Sequence, residues 1–156
     1  MTGKESFSAL LAELSNLAGV ELQTDEQGSV CLQFDDGITM HLCDAEGDLL
    51  ALISDTGIDL TTLKPEAQLA ASNIFLQINF ITPLATRFSI ALSPQQTIAV
   101  TISEHISCLT GSRLFDLIEV MLEKTRLIKG LIDELIEDGS NAVPMPTSLS
   151  IIERFA

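Results

Sequence analysis

The spacing of apolar residues changes its period four times along this chain, and that alternation leaves few folds open. Phe7, Leu10, Leu11, Leu14, Leu17 and Ala18 recur at steps of three and four, which predicts a helix with one apolar face. Ser6 suits its N-cap and Gly19 its stop. A period of two follows. Val30, Leu32 and Phe34 alternate with Cys31 and Gln33, Asp35-Asp36-Gly37 turns the chain, and Ile38, Met40 and Leu42 alternate with Thr39, His41 and Cys43. After a second turn at Ala45-Glu46-Gly47-Asp48, Leu49 to Ser54 reads as a strand apolar on both faces, which predicts cover on both sides.

The helical period then returns at Lys64-Pro65-Glu66, with proline in the first turn, where it is tolerated. One stripe holds Ala67, Ala70, Ala71, Ile74, Phe75 and Ile78; a second holds Leu69, Leu76 and Phe80, with Asn73 beside it. One stripe suffices for a surface helix, so the second implies another packing partner, most simply a second copy of the chain. Phe88 to Leu92 and Ile98 to Ile102 form another hairpin around Pro94-Gln95-Gln96. A last helix starts near Ser112, carries Leu114, Leu117, Ile118, Met121, Ile128, Leu131, Ile132 and Leu135, and ends at Gly139. The expected class is α+β: an antiparallel sheet with three helices, in the order α-β-β-β-α-β-β-α. Residues 1–138 form a single domain on this reading. Residues 139–156, with Pro144 and Pro146 and an apolar end at Leu149, Ile151, Ile152 and Phe155, form a flexible tail.

Charge narrows the function. Against 22 acidic residues stand 8 Lys and Arg, a formal charge of −14, which disfavours nucleic acid and anionic membrane surfaces. No apolar run is long enough for a membrane span, and the first residues do not read as a secretory signal. Three widely spaced cysteines, Cys31, Cys43 and Cys108, suit a reducing cytoplasm better than a disulfide framework.

Candidate chemistry is sparse. With Phe34 paired to Ile38, Cys31 faces His41, and Cys43 shares that strand face, so three potential ligands could converge. The tight cysteine spacing of structural zinc sites is missing, and small buried cysteines are ordinary, so no metal is expected. His105, Glu104 and Cys108 fall in a strand-to-helix connection without a nucleophile motif. No serine elbow, phosphate loop or calcium loop occurs, and the acidic residues of the turns read as solvated hairpin ends. No enzyme activity and no cofactor are expected.

Size, acidity and element order together resemble the type III secretion chaperones of the Tir-chaperone family. The resemblance covers roughly residues 4 to 138. It rests on the opening Phe7-Ser8-Ala9-Leu10-Leu11 helix, the Phe34-Asp35-Asp36-Gly37 turn, the Leu49-Leu50-Ala51-Leu52 strand and the long helix from Ser112. The resemblance implies a homodimer in the bacterial cytoplasm. It would bind the N-terminal region of a secreted effector as an extended, non-globular chain, by strand addition and pocket filling. It places Leu10, Leu14, Leu17, Phe34 and Met40 at an effector groove, and Leu69, Asn73, Leu76 and Phe80 at the dimer axis. On that placement, Leu14→Asp weakens effector binding and leaves the dimer folded. The acidic surface would also suit the export machinery as a partner. The alternative is a small bacterial α+β domain of the same architecture that binds another protein or ligand; an enzyme on the His41 face and a structural subunit are more distant rivals.

Overall fold

The computed structural model of the protein describes residues 3–46, 48–85 and 87–138. The expected tail, 139–156, lies outside the described residues. Helix α1 (Gly3–Ala18) precedes strands β1 (Val30–Gln33), β2 (Thr39–Ala45) and β3 (Leu49–Asp59); helix α2 (Pro65–Ala85) precedes β4 (Ser89–Leu92) and β5 (Thr97–His105); helix α3 (Gly111–Asp138) closes the series. The predicted class and element order are those observed. All strand pairs are antiparallel, in the order β1-β2-β3-β5-β4, so β1 and β4 are the two edges.

Alternation puts Val30, Met40, Leu42, Leu50, Leu52, Ile98, Val100 and Ile102 on one sheet face, and all are buried. Helices α1 and α3 cover that face, α3 with Leu114, Met121, Ile128 and Ile132, none of which reaches solvent. Each such side chain contributes roughly 1.5–3 kcal/mol by leaving water. Ser54 and Thr125 form a polar pair within this core. Thr125 of α3 donates to the Met121 carbonyl (2.8 Å) and shares a 2.7 Å hydrogen bond with the Ser54 hydroxyl of β3, so neither buried oxygen is left alone. This pair fixes α3 along the sheet as well as across it.

Several expectations are corrected here. Helix α1 begins at Gly3, ahead of the expected Ser6 cap. Leu17 and Ala18, on the same apolar stripe as Leu10 and Leu14, are exposed: the core stops one turn before the helix does. Strand β3 runs on to Asp59, through a register shift after Asp55 where Gly57 adopts φ +73. The two-sided cover predicted for β3 is one-sided: Leu50 and Leu52 are buried by the helices, whereas Leu49, Ala51 and Ile53 are only half-buried among their sheet neighbours.

Two contacts hold the helices to distant parts of the chain. The β1–β2 turn closes with Phe34 N–H on the Ile38 carbonyl and Gly37 at φ +81, a left-handed position that favours glycine. Its Asp36 accepts from Arg126 Nε (2.7 Å), and Lys129 Nζ donates to the Asp36 carbonyl (2.6 Å), which ties the turn to α3. The Arg126 hydrogen bond holds the Asp36 carboxyl below the usual carboxylate range.

At the other end of α3, the Glu13 carboxylate of α1 accepts from the Gly111 N–H at 2.6 Å and places negative charge at the helix N-terminus. The approach requires glycine, because a Cβ on Gly111 would lie 2.5 Å from Glu13 Cβ. Gly111→Ala should therefore lower stability by about 1–3 kcal/mol in urea unfolding, since the clash exceeds the alanine preference of a helix. Gly130→Ala, with nothing within 4 Å of its Cβ position, is the control and should gain up to about 1 kcal/mol.

Candidate client-binding edge and helix face

Among the described residues, strand β1 is the edge that keeps its backbone open. Phe34 N–H bonds across the turn to β2, so by the two-residue period Leu32 and Val30 also direct their backbone groups to β2. Cys31 and Gln33 therefore turn N–H and C=O outward. Ser29, the next outward residue, is already closed: Asp25 N–H donates to its carbonyl and the Asp25 side chain accepts from its N–H, both at 2.8 Å. Among the described residues the open edge is thus two outward residues long.

A cleft of about 400 Å³ lies between the outer flank of α1 and the segment that leads into β1. Leu11, Ala12 and Ser15 form one wall, and Leu22 and Thr24 the other. Ser15 Oγ accepts from Leu22 N–H at 3.2 Å and holds the far wall in place. Leu17 stands 56% exposed on the last turn of α1. Apolar side chains, a short cleft and an unpaired strand edge form a surface suited to an extended chain.

The expected groove residues divide. Leu17 is exposed, and Phe34 is half-buried at the end of β1. Leu10, Leu14 and Met40, at 4%, 2% and 0% exposure, are core. Their assignment to a groove is corrected: each is spent on joining α1 to the sheet and has no surface left for a partner. Leu22 at the cleft and the outward backbone of Cys31 and Gln33 are the surface features here that sequence reasoning missed. The alternation of β1 and its tight turn already held the signal for the open edge.

On α2, Ala67, Ala71, Ile74, Phe75 and Ile78 are buried, while Leu69, Leu76 and Phe80 stand 64%, 68% and 80% exposed, with Asn73 exposed between them. The four positions follow one another at steps of four, three and four along a single stripe.

No chemical centre emerges among the described residues. Cys31 does pair with His41 in the β1–β2 register, but the Cys43 thiol accepts from Ser29 Oγ at 3.3 Å, and no group of three or more His, Cys, Asp or Glu could hold a metal among the described residues. His105 and Cys108 are both exposed and share no hydrogen bond among the described residues. No helix among the described residues is long and apolar enough to cross a membrane.

The family model described as Tir chaperone protein (CesT) family matches residues 9–126, from within α1 to the middle of α3. The chain belongs to the Tir chaperone protein (CesT) family. This Tir-chaperone family member shares its fold with a chain in the crystal structure of the Yersinia pestis type III secretion chaperone SycH in complex with a stable fragment of YscM2. The two are 21% identical, the match covers 78% of this chain and 98% of that one, and the TM-score is 0.61. A chain in the structure of the HopA1–SchA chaperone–effector complex is 17% identical, with 83% and 98% covered and a TM-score of 0.68. An uncharacterized protein from Methanothermobacter thermautotrophicus shares the fold too, at 13% identity, 86% and 99% coverage and a TM-score of 0.57. No curated protein matches the chain. Since the fold is not confined to structures described as secretion chaperones, the family match carries the assignment.

Proposed function

We propose that this protein is a type III secretion chaperone that holds the N-terminal region of a secreted effector in extended form, as a homodimer in the bacterial cytoplasm. The observation that carries the reading is the open β1 edge, together with the cleft between α1 and the segment leading into β1, in a member of a chaperone family. A client strand laid against Cys31 and Gln33 gains backbone hydrogen bonds of roughly 0.5–1.5 kcal/mol each. Its side chains gain apolar contact with Leu22, Leu17 and Phe34. No bond is made or broken; the client is kept unfolded because its strand is already paired. Leu69, Asn73, Leu76 and Phe80 form the dimer contact, and the net charge of −14 keeps the loaded complex soluble and suits the export apparatus as a further partner.

Two variants test the client site. Proline at an outward edge position removes one N–H from the edge and none from the β1–β2 ladder. Gln33→Pro and Leu17→Asp should each fold normally and retain the client at least about tenfold less well in pull-downs from the native host. The captured protein should be protease-resistant only near its N-terminus. Full client retention by both folded variants would sink the assignment of this edge. A protein that captures no secreted protein at all would turn attention to the rival small binding domain.

A further inference from the structure

The sheet has a second edge, β4, and among the described residues the Asn79 side chain occupies it. Asn79 of α2 donates through Nδ2 to the Ile90 carbonyl at 2.8 Å and accepts at Oδ1 from the Ile90 N–H at 2.7 Å. These are the two backbone groups that Ile90 does not spend on β5, because in the β4–β5 ladder the Ile90–Val100 pair is one whose groups point away from each other. A carboxamide carries a donor and an acceptor in one plane, as a peptide group does, so Asn79 takes the place of the next strand.

We propose that Asn79 locks the β4 edge against strand addition, which favours β1 as the edge at which an extended partner enters the sheet. The arithmetic of outward residues supports this. Strand β4 spans only Ser89–Leu92, and alternation leaves Ile90 and Leu92 facing outward. With Ile90 closed, Leu92 remains as a lone outward pair beside the Ser93–Thr97 turn, too short for a second strand to register. At β1, Cys31 and Gln33 remain open in succession. Unpaired edges are templates for unwanted pairing. A protein that must accept one strand at one edge has reason to close the other. The lock at β4 follows from geometry alone; the consequence that it directs a client to β1 rests on the chaperone reading above.

The test uses the full-length chain at pH 7.5. In the wild type, the Ile90 amide should be protected from hydrogen exchange as amides within the β3–β5 ladder are. Exchange at the rate of an unpaired edge amide would overturn the lock at once. Asn79→Leu keeps the size of the side chain but can neither donate to the Ile90 carbonyl nor accept from the Ile90 N–H. Its Ile90 amide should exchange at least about tenfold faster, and light scattering at high concentration should find particles of twice the wild-type mass. Adding Leu92→Lys, a charge on the same exposed edge, should restore the wild-type mass. Should Asn79→Leu fail to fold, Asn79→Ala keeps the helix and is read in the same way. Unchanged exchange in a folded variant overturns the proposal. So does faster exchange without gain in mass, because α2 then bars the edge by bulk alone. None of these measurements contains a client, so they stand or fall separately from client capture.

Discussion

Leu14→Asp should abolish folding. Leu14 is 2% exposed where α1 meets the rest of the core. Truncating a buried leucine costs about 2–5 kcal/mol, and an unpaired carboxylate in its place adds several more. A domain of this size is stable by only about 5–15 kcal/mol, so little or nothing remains. The expected result is an insoluble or unfolded product, with no cooperative urea transition. Leu17→Asp, three residues on and 56% exposed, should unfold within about 0.5 kcal/mol of the wild type. The pair inverts the expectation that Leu14→Asp leaves a folded dimer and weakens only client binding. A well-folded Leu14→Asp protein would mean that α1 is held to the sheet far more loosely than its burial indicates.

Leu76→Asp should turn the proposed dimer into a folded monomer. Leu76 lies between Asn73 and Phe80 on the outer stripe of α2 and is 68% exposed in the protomer, so its own core loses nothing. In a twofold dimer every substitution acts twice. A buried interface leucine is worth roughly 2 kcal/mol, and the two copies together roughly 4 kcal/mol, or about a thousandfold in the dissociation constant. Sedimentation equilibrium of wild type and variant reads this directly, with circular dichroism as the control for folding. Phe80→Glu should act in the same direction. An unchanged dimer in both variants would place the interface elsewhere and leave the outer stripe of α2 without a role.

The two predictions draw on different kinds of legibility. Leu14 and Leu17 share one stripe of α1, and the period that unites them is plain in the sequence. What separates them is how far the opposing surface extends, and periodicity along one helix contains no information about the length of its partner. The stripe of Leu69, Leu76 and Phe80 was readable as surplus for a related reason: α2 has more apolar positions than one contact can cover, and counting faces needs no partner.

The sequence by itself determined the order of elements, the turn at Asp35-Asp36-Gly37 with Cys31 opposite His41, and the two-faced nature of α2. These are local facts, written in periods of two and of three to four and in residues whose backbone preferences are strong. The tertiary structure alone decided which sheet face the helices cover, and with it that Met40 is core while Leu49 is half-exposed. It decided the strand order, hence that β1 and β4 are the edges, and it brought Asn79 onto Ile90 and Glu13 onto Gly111. Those contacts join residues 11 and 98 positions apart across different elements. They depend on how whole elements pack, and no pattern within a single element encodes that.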